Sequence, residues 1–296
     1  MNFPMFHHSG ESMNQQDNIP QNFVLPNQVL IPCIGYGTWK TPAERAAEVV
    51  KNALELGYRH IDTAEGYENE QFVGEGIRLS RIPREQVFIT SKLKNSERGY
   101  ETTFQAFEQT LKNLQTDYLD LFLIHWPAVK GGPEQWQEIN RATWAAFEKI
   151  YSKGLVRAIG VSNFLPHHLD PLIAHASIVP MVNQIEVHPG QLQLGTVEYC
   201  QKKGIQVEAW SPLGSGLMLE NPKLASLAGH YGKSVAQLCV RWCLQHGIVP
   251  LPKSMNKERT ATNRQVFDFT ISDEDMKIID TMPYCGGSGL DPDKMD

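Results

Sequence analysis

Eight short β-type apolar runs, helical periodicity in most of the gaps between them, and a length of 296 residues predict an α/β fold of the (β/α)8 TIM barrel class. An N-terminal β-hairpin and a C-terminal tail near the active-site face complete the expected architecture. Residues 1–20 carry Asn, Gln, Ser and two His without apolar periodicity, and read as a disordered N-terminal tail. They lack the basic segment and apolar stretch of a secretory signal. Residues 21–296 then form one barrel domain. Phe23-Val24-Leu25 and Val29-Leu30-Ile31 flank Pro26-Asn27 and predict the hairpin.

The barrel strands follow as 34–38, 60–64, 87–93, 119–126, 156–164, 181–187, 206–213 and 249–254. Amphipathic helices are predicted over 43–56, 70–79, 102–114, 136–151, 192–203 and 235–246. Gly57, Gly154, Gly204 and Gly247 fall just past four of these, where a left-handed residue ends a helix. Ser234 and Gln237 make a capping box for another. A doubly wound sheet is the rival architecture, but Gly35-Tyr36-Gly37-Thr38-Trp39-Lys40 lacks the third glycine of its phosphate-binding turn. Gly232-Lys233-Ser234 resembles the end of a P-loop, yet Leu227 stands where its first glycine belongs.

The charge balance is 27 Lys+Arg against 33 Asp+Glu, a net −6. No basic surplus is available to displace counterions from a nucleic acid, although a small basic pocket for one anionic ligand remains open. Hydrophobic residues at 41% and charged residues at 20% describe a folded globular chain. No apolar run approaches the ~20 residues that cross a bilayer. Five scattered cysteines, Cys33, Cys200, Cys239, Cys243 and Cys285, read as reduced thiols in a cytoplasmic protein.

Barrel enzymes work at the C-terminal ends of their strands. There the sequence puts Asp62-Thr63, Ser91-Lys92, His125-Trp126, Ser162-Asn163, Gln184 with Glu186, Trp210-Ser211 and Lys253-Ser254. Singly, each has an ordinary structural role as a cap, a solvated charge or a core histidine. Their clustering on one rim is not demanded by the fold. His7-His8 and His167-His168 are adjacent pairs whose side chains are expected to diverge, and no metal site is expected. The nucleophile elbow of serine hydrolases is absent.

Asp62, Tyr67, Lys92 and His125 suit proton transfer to a carbonyl oxygen. A phenol with an ordinary pKa of about 10 holds its proton too firmly at neutral pH. A neighbouring ammonium should lower that value, a carboxylate should keep the ammonium charged, and an imidazole can orient the carbonyl. Such a set supplies a proton but no hydride, so a redox cofactor is implied.

The ordered motifs carry a specific resemblance. They run from Gly57-Tyr58-Arg59-His60-Ile61-Asp62-Thr63-Ala64, with Tyr67 and Asn69-Glu70, through Ser91-Lys92-Leu93 and Leu119-Asp120-Leu121 to His125-Trp126-Pro127. Ile159-Gly160-Val161-Ser162-Asn163-Phe164, Asn183-Gln184-Ile185-Glu186, His188-Pro189, Ser211-Pro212-Leu213-Gly214 and Pro252-Lys253-Ser254 complete the series. Across 23–296 the chain resembles the aldo-keto reductases. The resemblance implies that Tyr67 is the general acid, tuned by Asp62 and Lys92, and that His125 orients the substrate. It implies an NADPH site in which Ser162, Asn163 and Gln184 bind the nicotinamide carboxamide and Trp210 stacks on the ring. Gly37, Thr38, Trp39, Ser211 and Leu213 would line the cofactor. Lys253, Ser254 and Arg259 would hold the adenosine 2′-phosphate, and Asn263 the adenine. Two basic residues with a hydroxyl suit a dianionic phosphate.

Trp39 and Trp126 are expected to wall the substrate pocket with His125, and Tyr36 and Lys94 are weaker candidates. Trp136 and Trp144 are expected to pack. Trp210 stands where many relatives have Tyr, Lys94 where many have Trp, and Thr262 where Glu is frequent. Short segments at 128–142 and 215–222, with Gly286-Gly287-Ser288-Gly289 in the tail, are most similar to the microbial 2,5-diketo-D-gluconic acid reductase branch. That implies reduction of keto sugar acids, dicarbonyls and small aldehydes by a monomer. An NADPH-binding regulatory protein with little turnover is the alternative, and an aldolase using a Lys92 Schiff base is a third reading.

Overall fold

A computed structural model describes residues 19–128, 130 and 133–295. The expected N-terminal tail and His7-His8 therefore lie outside the described residues, apart from Ile19 and Pro20. Ile19 packs against the core.

The hairpin pairs β1 (Asn22–Val24) antiparallel with β2 (Leu30–Pro32). The barrel follows: β3 (Tyr36–Gly37), β4 (His60–Asp62), β5 (Phe88–Leu93), β6 (Leu119–Ile124), β7 (Val156–Ser162), β8 (Val182–Glu186), β9 (Gln206–Trp210) and β10 (Val249–Pro250). Each pairs in parallel with the next. The two sheet edges then meet, because the Gly35 and Gly37 amides donate to the Pro250 and Pro252 carbonyls at 3.0 and 3.2 Å. Both prolines lack an N–H, so they return no ladder bonds across this seam. The approach is also close. A Cβ on Gly35 would lie 2.5 Å from Leu251 Cδ2 and 2.8 Å from His60 Nδ1.

The returns include α1 (Ala43–Glu55), α2 (Glu70–Ser80), α3 (Tyr100–Leu114), α4 (Pro133–Ser152), α5 (Pro166–Ile173) and α6 (Leu194–Lys202). They continue with α7 (Pro222–His230), α8 (Val235–Gln245), α9 (Lys257–Asn263) and α10 (Asp273–Asp280). The helix-ending glycines take the left-handed φ expected of them, and the Ser234–Gln237 capping box forms. Periodicity does not reveal α5, α7, α9 or α10. Each spans under ten residues, too short for a full amphipathic stripe.

Alternation along β6 turns Phe122 outward, where it stacks on Phe147 of α4 with centroids 4.6 Å apart. Phe107 of α3 meets the same ring edge-on, and Trp144 is buried beside Phe147, so it packs as expected. At the floor, Asp120 joins three strands. Its carboxylate accepts from Arg84 at 2.8 Å, Arg157 at 2.7 Å and the Ile89 amide at 3.0 Å. The hairpin shares a cavity with Arg59, Phe88, Asp120 and Arg157 and so lies at this lower end.

The tail reaches the opposite end. Ser288 donates from its amide and hydroxyl to Glu186, the last residue of β8, at 2.8 and 2.6 Å. His167 and His168 do not diverge as expected. Both rings converge on Asp293 of the tail, at 2.7 and 3.0 Å. The Leu165 amide donates to His168 Nδ1, which leaves Nε2–H as the donor to Asp293. The trio is a hydrogen-bonded clasp on the tail.

Gly160 of β7 tests how tightly the barrel closes. An added Cβ would sit 2.5 Å from the Val182 carbonyl oxygen and 2.8 Å from Leu123 Cδ2. Gly160→Ala is expected to destabilise the fold by roughly 3 kcal/mol, because backbone must move to admit the methyl. Thermal unfolding should show a midpoint several degrees lower, and an unchanged midpoint would mean that β7 and β8 can separate freely.

Candidate active site

β4 ends at Asp62, and β5 carries Lys92 one residue before its end, so both side chains enter the barrel where the strands stop. Lys92 Nζ donates to Asp62 Oδ1 at 2.7 Å, Thr63 O at 2.9 Å and Tyr67 Oη at 3.2 Å. All three ammonium hydrogens are engaged, which holds Lys92 as a paired cation and disfavours the free amine that the aldolase reading needs. Tyr67 closes a single 3-10 turn, Glu65–Tyr67, that follows β4 directly. His125 lies just past β6, with its ring edge-on to Tyr67 and centroids 5.6 Å apart.

Burial raises the Tyr67 pKa above its ordinary 10, and this outweighs the downward pull of the Lys92 charge and hydrogen bond. The expectation that Lys92 brings the phenol below its ordinary range is thus corrected: the pull exists, but desolvation is larger. Burial also pulls Lys92 down, yet the Asp62 and Tyr67 charges and hydrogen bonds leave it raised above 10.5. Burial, then the Lys92 and Arg98 charges, hold His125 well below 6.5. At neutral pH the group is a protonated phenol, a neutral imidazole and a buried ammonium–carboxylate pair. It can give a proton to an oxygen held between Tyr67 and His125.

Gln184 of β8 meets the other Asp62 oxygen. Its Nε2 donates to Asp62 Oδ2 and to Glu208 Oε2, both at 2.8 Å. Both amide hydrogens are engaged, so only the carbonyl oxygen can face a ligand. Asn163, in a left-handed turn at φ 64° after β7, donates to His125 O at 2.9 Å and Ser162 Oγ at 3.0 Å. Its Oδ1 accepts from Trp210 Nε1 at 2.8 Å, and Ser162 Oγ donates to Gln184 O. These residues fasten the ends of β6, β7, β8 and β9 to one another and leave mainly acceptor atoms for a ligand. The half-buried Trp210 ring has Trp39 and Trp126 edge-on, with centroids 6.0 and 6.5 Å away.

Other expected residues fall into place differently. Gly37 belongs to the seam, and Thr38 donates from its amide and hydroxyl to Asp62 O, at 3.0 and 2.9 Å. Both amides are committed to the barrel. Tyr36 cannot wall a pocket, because it is 1% exposed and donates to Ser254 O at 2.6 Å. Lys94 is exposed beside Glu65. Ser211 and Leu213 form the turn after β9, where their carbonyls accept from Gly214 and Gly216. Trp136 meets His168 edge-on, away from the Tyr67 group.

Lys253, Ser254 and Arg259 form a second cluster beyond β10. Arg259 Nε approaches Ser254 Oγ at 3.4 Å, and Lys253 Nζ reaches Lys40 O at 3.3 Å. Asn256 caps α9 through the Arg259 amide, and Asn263 ends that helix, buried. Burial and the Lys40 charge push the Lys253 pKa down. Lys40 is therefore a third cation here, one position past Trp39 and not among the cofactor residues read from sequence. Among the described residues no carboxylate pairs with Lys40, Lys253 or Arg259. Crowded cations beside a hydroxyl fit a phosphate dianion, and the acceptors with an open indole face fit a nicotinamide.

Two further residues escaped the sequence reading, His60 and Glu208. Both are fully buried inside the barrel beneath Asp62 and Gln184. Counting back two residues from Asp62 and from Trp210 would have found them, since alternate strand residues face the same way.

The match to the Aldo/keto reductase family spans residues 33–282. The chain is 48% identical over 272 residues to the glyoxal reductase of Bacillus subtilis, covering 92% of this chain and 96% of that one. An aldo-keto reductase from a Medee basin deep-sea metagenome library superposes with a TM-score of 0.87 at 44% identity, over 93% of this chain and 99% of the other. A Bombyx mori aldo-keto reductase, solved in complex with NADP, gives 0.81 at 34% identity, over 88% and 91%. The chain belongs to the aldo/keto reductase family and is an NADPH-dependent oxidoreductase of carbonyl compounds.

Proposed function

We propose that this enzyme reduces small aldehydes and dicarbonyls, with keto sugar acids such as 2,5-diketo-D-gluconate in its range, and that Tyr67 delivers the proton. The observation that carries the reading is the protonated phenol bound to Lys92 beside a neutral imidazole. Bound NADPH supplies the hydride. His125 orients and polarises the carbonyl, Tyr67 protonates the oxygen, Lys92 steadies the phenolate left behind, and Asp62 keeps Lys92 charged. Ser162, Asn163 and Gln184 offer acceptors to the carboxamide, and Trp210 offers its ring face. Gly37, Thr38, Ser211 and Leu213 shape the groove. Lys253, Ser254 and Arg259 hold the 2′-phosphate, and Asn263 lies at the adenine.

Trp39, His125 and Trp126 bound the substrate in this reading. The short 128–142 and 215–222 segments support small substrates, as does the likeness to a glyoxal reductase. One domain over 21–296 acts as a monomer in the cytoplasm on a free small molecule, without nucleic acid. Five free thiols and the net −6 charge support this. Among the described residues no helix is long and apolar enough to cross a membrane.

Tyr67→Phe keeps the ring and removes the proton donor. It should retain NADPH binding by fluorescence titration and lose reduction of glyoxal and methylglyoxal by about a hundredfold or more. Turnover near the parent value would refute the assignment. Arg259→Ala should weaken NADPH by roughly ten- to a hundredfold and NADH by much less, because only NADPH carries the 2′-phosphate. Equal losses would remove Arg259 from the phosphate site. Finally, His125 lies well below 6.5 and stays neutral above that pH. Turnover should therefore show no inflection at the ordinary imidazole value, and a step there would place a charged His125 in the reaction.

A further inference from the structure

A chain of polar side chains continues below the Tyr67 group into the barrel. Gln184 Nε2 bridges Asp62 Oδ2 and Glu208 Oε2, and Glu208 Oε1 lies 3.7 Å from His60 Nε2. His60 Nε2 is in turn 2.9 Å from Thr90 Oγ1. Glu208 and His60 are 0% exposed, and Glu208 Oε1 and His60 Nδ1 have no hydrogen-bond partner among the described residues. A TIM barrel interior is ordinarily filled by branched apolar side chains. Here a second carboxyl stands behind Asp62, separated from it by one amide.

Charge arithmetic decides the state of that carboxyl. Lys92 is the cation that faces Glu208 inside the barrel, and Asp62 already matches it. Ionised Glu208 would leave one uncompensated negative charge in the barrel. The titratable groups facing it are His60 and Asp62 from β4 and Lys92 from β5; its neighbours Gln184 on β8 and Val249 on β10 carry none. His60 does not compensate, because burial and then the Lys92 charge hold it down at about 3. Burial and then the Asp62 charge push Glu208 up to about 8, against the Gln184 hydrogen bond and Lys92. The His60–Glu208 contact is thus a neutral pair, longer than a hydrogen bond, at neutral pH.

We infer that Glu208 is a positioning residue for carbonyl reduction: its neutral carboxyl holds the Gln184 amide against Asp62, and its deprotonation slows proton delivery from Tyr67. The second effect follows from sign. An added anion behind Asp62 stabilises the Lys92 and Tyr67 protons, so the phenol becomes a weaker acid. The inference rests on Tyr67 as the donor.

The test is the pH profile of kcat for methylglyoxal reduction at saturating NADPH, in the parent enzyme and in Glu208→Gln. The amide cannot ionise but still offers Gln184 an acceptor. The parent rate should fall roughly three- to tenfold between pH 7 and pH 9, and Glu208→Gln should abolish that fall. Glu208→Leu, which leaves one Gln184 hydrogen buried without an acceptor, should lower kcat across the whole range, with Glu208→Gln restoring it. An alkaline fall that persists in Glu208→Gln, at any absolute rate, overturns the inference, as does a parent profile with no fall. Infrared difference spectra keep it testable if the variants misfold: the parent protein should show a protonated-carboxyl stretch at pH 7 that fades on titration through pH 8, and its absence overturns the inference. Failure of Tyr67 as donor would show separately, as an active Tyr67→Phe enzyme.

Discussion

The buried ion pair between Lys92 and Asp62 is the constraint on which the site depends. Removing an ammonium and a carboxylate from water costs several kcal/mol each even after relaxation, and the pair persists only where every remaining donor and acceptor is met. The barrel meets them from several elements. Thr63 and Tyr67, just after β4, take the other Lys92 hydrogens, and Gln184 of β8 takes the free Asp62 oxygen. Thr38, past β3, grips the Asp62 backbone carbonyl. Moving any of these strands would strand a charge. The same network holds the Tyr67 hydroxyl 3.2 Å from Lys92.

Much of this was legible in the sequence, for a physical reason. Barrel strands repeat with period two and stop at a common rim, so Asp62, Lys92, His125, Asn163 and Trp210 could be collected by reading the ends of apolar runs. Short helices carried weaker signals. Asn221-Pro222 and Ser272 with its acidic triplet 273–275 are capping signatures that mark α7 and α10, but neither helix is long enough for its periodicity to stand out. The seven-residue α9 is marked only by its Asn256 cap. Contacts between distant segments were not legible. On a helix, neighbouring side chains diverge, yet His167 and His168 both turn to an aspartate that arrives 126 and 125 residues later. Tyr36 had the residue type of a pocket wall, and only the closure of β3 against β10 shows that it is sealed in.

Net charge illustrates a related limit. A chain at −6 still brings Lys40 beside Lys253 and Arg259 to the Ser254 hydroxyl, with no carboxylate paired to these cations among the described residues. The strands meeting at the seam make this possible, because Gly37 and Pro252 bring the segment after β3 beside the segment after β10. Lys40 and Lys253 are 213 residues apart in sequence and become neighbours only when the barrel closes. Closure therefore builds the cationic cluster as well as the sheet.

The two ends of the candidate site consequently obey opposite electrostatic rules. At the seam, like charges crowd near the surface, where water screens them and a phosphate would relieve them. Inside the barrel these side chains are sealed from bulk solvent, so Lys92 is matched by Asp62, and the second carboxyl, Glu208, keeps its proton instead of its charge. A cofactor reaching from one to the other would place its anionic groups at the exposed cations and its uncharged amide at the saturated network of Ser162, Asn163 and Gln184. That division follows from burial. Phosphates need charge that can be left unpaired in their absence, and only a partly exposed cluster tolerates it. The reacting centre needs protons held at fixed positions, and only a buried, fully bonded network holds them there.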